Sequence, residues 1–184
     1  MGSILEILAS LSGLAYILFI ITKKPIAWLF GIISSLLYIK ISIDAHLYIQ
    51  SVLQGFYVLI GVLGFIKWQN RDKNVSALKW KAKFIFLITA VFLSLILAFF
   101  TSITSQKMPF LDAFIAVFGV LATYLTTEKE IDNWIIWLII NLLSAILFLE
   151  QGLFLSAVMY WIYFMLSIYG VLIWKKELND FKTA

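Results

Sequence analysis

The fold of this chain is decided by two stretches that overlay without a gap, WLFGIISSLLYIKISIDAHLYIQSVLQGFYVLIGVLGFIKW (residues 28–68) and WIIWLIINLLSAILFLEQGLFLSAVMYWIYFMLSIYGVLIW (residues 134–174). The overlay extends to residues 4–68 and 110–174 at a constant offset of 106. Its matched pairs are Gly13 with Gly119, Lys23 with Lys129, Trp28 with Trp134, Tyr57 with Tyr163, Gly64 with Gly170 and Trp68 with Trp174. This gapless register predicts an internal duplication.

Composition places the chain in a membrane, because 63% of its residues are hydrophobic, only 13% are charged and the mean hydropathy is +1.01. A spanning helix needs about 20 apolar residues. Segments of that kind cover residues 4–22, 25–43, 47–67, 82–101, 110–127, 133–149 and 153–174. They lack the two-residue alternation of barrel strands, so we predict an all-α integral membrane protein of seven helices that forms one transmembrane domain over residues 1–184.

The residue inventory argues against several classes of protein. With no cysteine and a single histidine, His46, the chain offers little for a metal site, and we predict no cofactor. A membrane enzyme would need a paired acid and base in mid-span, and a retinal photoreceptor would need a lysine within the seventh segment; the sequence has neither. The first segment lacks a basic start and a cleavage site, so we expect it to be a retained helix.

Cationic residues are sorted between the connecting segments. The same side of the predicted bundle holds Lys23, Lys24, Lys67, Arg71, Lys73, Lys79, Lys81, Lys83, Lys129, Lys175, Lys176 and Lys182, leaving Lys40 and Lys107 for the other. Because short loops rich in Lys and Arg stay in the cytoplasm, we expect the amino terminus outside and the carboxyl terminus inside. We expect the basic cluster at residues 67–83 to contact anionic lipid headgroups rather than nucleic acid.

The duplication predicts a 3+1+3 arrangement of the helices. Residues 4–68 and 110–174 each hold three spans, and residues 82–101 hold the connecting one. A unit with an odd number of spans needs one further helix before it can repeat in the same orientation. The repeats are therefore expected to be parallel, as in some transporters, with the connecting helix facing lipid.

Polar side chains inside spans are costly in lipid and usually face the bundle interior or a water-filled cavity. Three helices carry them at spacings that share one helical face. These faces hold Gln50, Gln54 and Tyr57 on the third helix, Trp137, Asn141 and Ser144 on the sixth, and Ser156, Tyr160 and Tyr163 on the seventh. The second helix, repeat partner of the sixth, has Gly31, Ser35 and Tyr38 at the equivalent positions.

Each of these positions also has a purely structural interpretation. Serines in spans often bond their own helix or pack small faces together, which we favour for Ser35 and Ser144. Mid-span amides need partners for their donors and their acceptor, so Gln54 and Asn141 are expected to be functional. Trp137 could serve either purpose, and Trp161 is a further candidate beside Tyr160.

Residues near the span ends have simpler interpretations. We expect interfacial anchoring for four tryptophans, which are Trp28, Trp68, Trp134 and Trp174. Glu6 and Asp112 lie in the expected first turns of the first and fifth helices, where capping is favoured and gating is the alternative. Lys40 and Asp44, four residues apart, are expected to form a local ion pair.

Two motifs resemble the PnuC family of bacterial vitamin-precursor transporters. They are NWxxWxxxN at Asn133, Trp134, Trp137 and Asn141, and LYxxxxLQ at Leu47, Tyr48, Leu53 and Gln54. The resemblance spans most of the chain. It implies a seven-helix core akin to SWEET sugar transporters, import of nicotinamide riboside, substrate contact by Trp137, Asn141 and Gln54, phosphorylation of the imported substrate by a cytoplasmic kinase, and a possible homotrimer. A related branch, PnuT, carries thiamine.

The resemblance and the residues together predict a transporter of the bacterial inner membrane rather than an enzyme. The expected substrate site consists of Trp137, Asn141, Gln54, Gln50, Tyr57, Tyr160, Trp161 and Ser35. Aromatic rings can hold a flat delocalised cation without a carboxylate. We expect nicotinamide riboside to cross by facilitated diffusion with alternating access, because the spans show no proton relay. Thiamine is the alternative substrate, followed by a sugar of the SWEET type.

Overall fold

The structure of the chain is a computed structural model that describes residues 2–44, 48–70, 73–102, 108–150 and 154–183. Over these ranges the chain forms seven α-helices. They are α1 (Gly2–Ile21), α2 (Ile26–Asp44), α3 (Tyr48–Asn70), α4 (Trp80–Ser102), α5 (Pro109–Thr127), α6 (Asp132–Glu150) and α7 (Phe154–Thr183). Each is long and apolar enough to cross a membrane. The predicted all-α membrane fold is therefore confirmed.

Two helix ends differ from the sequence-based prediction. Helix α7 continues to Thr183 instead of ending at residue 174, because hydropathy marks only the membrane part of a helix, whereas Lys, Glu and Leu also favour helix in water. Helix α1 begins at Gly2, so the expected first-turn position of Glu6 is wrong. Asp112 does lie in the first turn of α5, and the ion pair between Lys40 and Asp44 is confirmed.

The turns after α1 and α5 have the same backbone geometry. Lys23 has a φ of 55° and Lys129 a φ of 53°. In the first turn, the amide of Lys24 donates to Phe19 O at 2.9 Å and that of Lys23 to Ile20 O at 2.9 Å. The amides of Glu130 and Lys129 repeat this pattern on the carbonyls of Leu125 and Thr126. Both turns are Schellman motifs, in which a residue of left-handed conformation ends the helix.

The chain divides into two compact units. The first unit comprises Met1–Asn74 with Thr126–Lys129, and the second comprises Val75–Leu125 with Glu130–Ala184. In the first unit α2 packs against both α1 and α3. Glycines make the approach of α3 possible, because a Cβ on Gly61 would meet the Ile32 side chain at 2.8 Å.

In the second unit, α4 presents a stripe of small residues to its neighbours. Its buried side chains are Ala90, Ser94, Ala98 and Thr101, whereas most of its large apolar residues are exposed. Ala90 packs in a cluster with Phe118 of α5 and Ile140 of α6. Helix α6 packs against α7. Helix α4, the connecting helix that we expected to face lipid, thus also contacts protein along one narrow face.

The four tryptophans expected to anchor the chain at the membrane interface are instead internal packing residues. Trp28, Trp68, Trp134 and Trp174 are at most 6% exposed. Trp28 meets Trp68 edge to face with ring centroids 5.4 Å apart, and Trp134 meets Trp174 in the same way at 5.5 Å. The prediction rested on the positions of these residues near the span ends. It is wrong because their indoles point inward. Trp80, 72% exposed at the start of α4, has the exposure that an anchor requires.

Candidate functional site

In the first unit, the predicted site residues lie on α2 and α3. Gln54 and Tyr57 of α3 are half-buried, as their shared face predicts, but Gln50, one turn nearer the start of the helix, is exposed. Ser35 of α2 is buried. Gln54 and Tyr57 therefore form the better-enclosed part of this polar face.

The neighbouring serines of the first unit have structural roles. Ser34 Oγ donates to the carbonyl of Ala9 at 2.9 Å, which ties α2 to α1. Ser10 Oγ and Tyr38 Oη are hydrogen-bonded at 3.1 Å between the same helices. These bonds match the expected use of span serines in helix association.

Tyr16 of α1 belongs to the same unit, although the sequence reasoning did not single it out. Its ring packs edge to face on Trp28 with centroids 5.7 Å apart. Its hydroxyl is buried and, within the described part of the chain, has no hydrogen-bond partner. The sequence could have indicated this residue, because Tyr16 places a polar hydroxyl in the middle of a span.

In the second unit, the predicted amide and tryptophan both lie on α6. Asn141 is buried, and its Nδ2 donates to Ser167 Oγ of α7 at 3.1 Å. Ser167 Oγ in turn donates to the Tyr163 carbonyl at 2.8 Å. Trp137, one turn before Asn141, is half-buried against the cluster formed by Ala90, Phe118 and Ile140. The amide orientation is thus fixed by a hydrogen bond to the next helix.

The aromatic residues of α7 form a second element of this site. Tyr160 stacks on Phe148 of α6 with ring centroids 5.2 Å apart and an interplanar angle of 17°. Tyr163 meets Tyr160 edge to face at 5.8 Å. Trp161, by contrast, is 43% exposed and contacts Phe164. Tyr160 and Tyr163 share the predicted face, whereas Trp161 points away from it.

Sequence reasoning missed two contributors in the second unit. Ser167 continues the predicted line of α7 one turn beyond Tyr163, so the same spacing rule could have found it. Phe148 carries no polar atom and gave no signal. Ser144, one turn beyond Asn141, is buried, and its Oγ has no hydrogen-bond partner among the described residues. Ser156, the remaining member of the predicted face, lies outside the described side chains.

The arrangement suits reversible capture of a small polar molecule with a flat ring. Aromatic faces can hold a delocalised cation for roughly 0.5 to 2 kcal/mol, and amides can bond its hydroxyl or carboxamide groups. Among the described residues, no group of three or more His, Cys, Asp or Glu side chains could hold a metal ion.

Comparison with known proteins gives a consistent result. The family model described as "Nicotinamide mononucleotide transporter" matches residues 3–176. The chain is 25% identical to the nicotinamide riboside transporter PnuC of Escherichia coli K12, covering 92% of this chain and 84% of that protein. It is 24% identical to the PnuC of Neisseria mucosa, covering 91% and 70%.

A solved structure is similar as well. The crystal structure of the vitamin B3 transporter PnuC aligns with a TM-score of 0.79 at 24% identity, covering 97% of this chain and 83% of that one. The fold is therefore shared with a vitamin transporter. Because the family model extends over nearly the whole chain, this protein belongs to the nicotinamide mononucleotide transporter family of membrane transporters.

Proposed function

We propose that this protein imports nicotinamide riboside across the bacterial inner membrane. The observation that carries the proposal is the fixed amide of Asn141, held on Ser167 by the same two helices that bear the stacked pair of Tyr160 and Phe148. Two relatives aligned over more than nine-tenths of this chain are named as transporters of this substrate. The amide and aromatic surfaces match the carboxamide, the hydroxyls and the pyridinium of nicotinamide riboside.

In this proposal each unit has its own candidate groups. Those of the second unit are Trp137, Asn141 and Tyr160. Those of the first unit are Gln54 and Tyr57, with Ser35 and the more exposed Gln50 as lesser candidates. Trp161 remains the weakest candidate, because its ring points away from the polar face. The 3+1+3 parallel arrangement, alternating access and a homotrimer belong to the same proposal.

The direct test is calorimetry of the purified protein with nicotinamide riboside and with thiamine. We expect binding of the riboside and no heat from thiamine. Thiamine binding without riboside binding would overturn the substrate assignment in favour of the PnuT branch. Competition of glucose with the riboside would point to a sugar carrier.

Variants test the site separately. Trp137→Ala and Asn141→Ala should abolish binding while the protein remains folded in detergent, and retained affinity in both would sink the site assignment. Ser167→Ala should weaken binding by about fivefold to tenfold, because Asn141 loses the hydrogen bond that orients it. Ser94→Ala is the matched control, since Ser94 Oγ donates only to Ala90 O of its own helix at 2.8 Å.

A further inference from the structure

Tyr16 is held in place by its ring, not by its hydroxyl. A Cβ on Gly31 of α2 would lie 2.8 Å from Tyr16 Cδ2, so the ring fills the space that this glycine leaves open. The opposite contact is Trp28, which Tyr16 meets edge to face. Trp28 in turn lies against Gly64 of α3. The ring therefore packs closely between α1 and α2, next to the indole by which α2 meets α3.

The buried hydroxyl of Tyr16 lowers the stability of the fold, because no hydrogen bond from a described residue compensates for its burial. Leaving a buried donor without a partner costs about 1–3 kcal/mol, and native proteins rarely do so without a use for it. Phenylalanine would fill the same space without that penalty. The packing of the ring therefore does not account for a tyrosine at position 16.

The surroundings of the hydroxyl indicate what it serves. Gly31, which the Tyr16 ring covers, lies one turn before Ser35 on the same face of α2. The Tyr16 ring thus packs on the face of α2 that carries Ser35, a candidate substrate contact. The internal overlay pairs Tyr16 with Ala122 of α5, which is fully buried. The hydroxyl is therefore specific to the first unit, as Asn141 and Trp137 are specific to the second.

We propose that the Tyr16 hydroxyl is a further substrate-contacting group, which hydrogen-bonds a polar group of the transported molecule when it occupies the polar site of the first unit, near Ser35. This inference rests on the proposed function, because it concerns the same site. It adds a residue of α1 to the candidate groups that the first unit otherwise takes from α2 and α3.

Tyr16→Phe tests the proposal because it deletes only the hydroxyl and keeps the ring between Gly31 and Trp28. We expect the melting temperature of the full chain in detergent to stay equal or to rise, since the variant removes a buried hydroxyl that has no hydrogen-bond partner among the described residues. The dissociation constant for nicotinamide riboside, measured by calorimetry, should increase about tenfold through the lost hydrogen bond.

Tyr38→Phe is the matched control, because the Tyr38 hydroxyl is hydrogen-bonded to Ser10 Oγ. This control should lower the melting temperature and leave the riboside affinity unchanged. Unchanged affinity in Tyr16→Phe, with wild-type protein that binds the riboside, would overturn this inference alone. A lower melting temperature with unchanged affinity would assign the hydroxyl to an internal water. Wild-type protein that does not bind the riboside would overturn the proposed function itself.

Discussion

At the scale of single residues, the two halves of the chain are built around the same contact between an indole and a glycine. A Cβ on Gly64 would clash with the Trp28 ring, and one on Gly170 would lie 2.6 Å from the Trp134 ring. Both indoles are nearly fully buried. Trp28 packs edge to face on Trp68, and Trp134 packs in the same way on Trp174. Neither ring can yield easily, because each is close-packed on both sides.

Adding one methyl group at these glycines should therefore destabilise the protein. We expect Gly64→Ala and Gly170→Ala to cost about 1–3 kcal/mol through overpacking, measured as a lower melting temperature in detergent. Gly55→Ala is the control, because a Cβ added to this glycine of α3 would meet nothing within 4 Å. That variant should be neutral or slightly stabilising, since alanine favours helix over glycine. Equal effects at all three positions would show that the indole contacts are not the cause.

At the scale of elements, the turn between α5 and α6 is fixed by the end of α3 and by residues 76–78, which precede α4 in sequence. In the first unit, Trp68 Nε1 donates to Thr127 O at 3.1 Å and Lys67 is paired with Glu128. In the second unit, the Ile131 amide donates to Ser76 O at 2.8 Å and the Leu78 amide to Asp132 Oδ2 at 2.9 Å. The turn is thus held by side chains and by backbone together.

The pair between Lys67 and Glu128 should make stability depend on pH. The pKa of Glu128 is held below its ordinary value of 4.5. The hydrogen bond from Lys67 lowers this pKa most, partial burial raises it, and the charges of Lys67 and Lys73 lower it further. A carboxylate with a lowered pKa in the folded state stabilises the protein above that ordinary value. The contribution is lost as the pH falls from 4.5 through the lowered pKa.

Glu128→Gln should therefore lower the melting temperature near neutral pH by about 2–4 °C, for a loss of about 1 kcal/mol. The difference from wild type should disappear in acid, where the carboxyl of the wild type is protonated. Asp44→Asn is the control, because its pair with Lys40 is more than half exposed on both sides and is worth less. A Glu128→Gln difference that persists unchanged in acid would contradict the ionic explanation.

The helices also show how much of the fold and of the candidate site could be predicted from the sequence. Hydropathy located all seven helices, because the apolar spans are separated by clear polar connections, but it could not see that α7 continues for a further stretch in water. The spacing rule placed Asn141, Tyr160 and Tyr163 on polar faces. It could not show that Asn141 is bound to Ser167, or which way Trp28 and Trp161 point, because those depend on how neighbouring helices pack.

At the scale of the whole molecule, the distribution of charge predicts an orientation that can be measured directly. The basic connections should be cytoplasmic, which places the start of α1 outside and the end of α7 inside. Because the chain has no cysteine, single cysteines can be introduced without interference. Ser3→Cys should react with a membrane-impermeant maleimide in intact spheroplasts, and Thr183→Cys should react only after lysis. The reverse pattern would contradict the predicted orientation of the chain.

The same charge distribution also indicates whether transport is coupled to an ion gradient. In the part of the chain that the structure describes, the Asp and Glu residues lie near helix ends or in connections, whereas proton-coupled carriers use ionisable groups within the membrane. The two units repeat the tryptophan–glycine contact and the Schellman turn, yet differ at Tyr16 and Asn141. We expect such a protein to change conformation around a neutral polar site and to move its substrate only down the concentration gradient.

Purified protein in sealed vesicles provides the test. Nicotinamide riboside added outside should enter until the internal concentration equals the external one, and an imposed proton or sodium gradient should not raise this plateau. Vesicles with Asn141→Ala should show only the slow leak of protein-free vesicles, because the carrier cannot bind its substrate. Accumulation above the external concentration when either gradient is applied would show ion coupling, and would require an ionisable group that the neutral site does not supply.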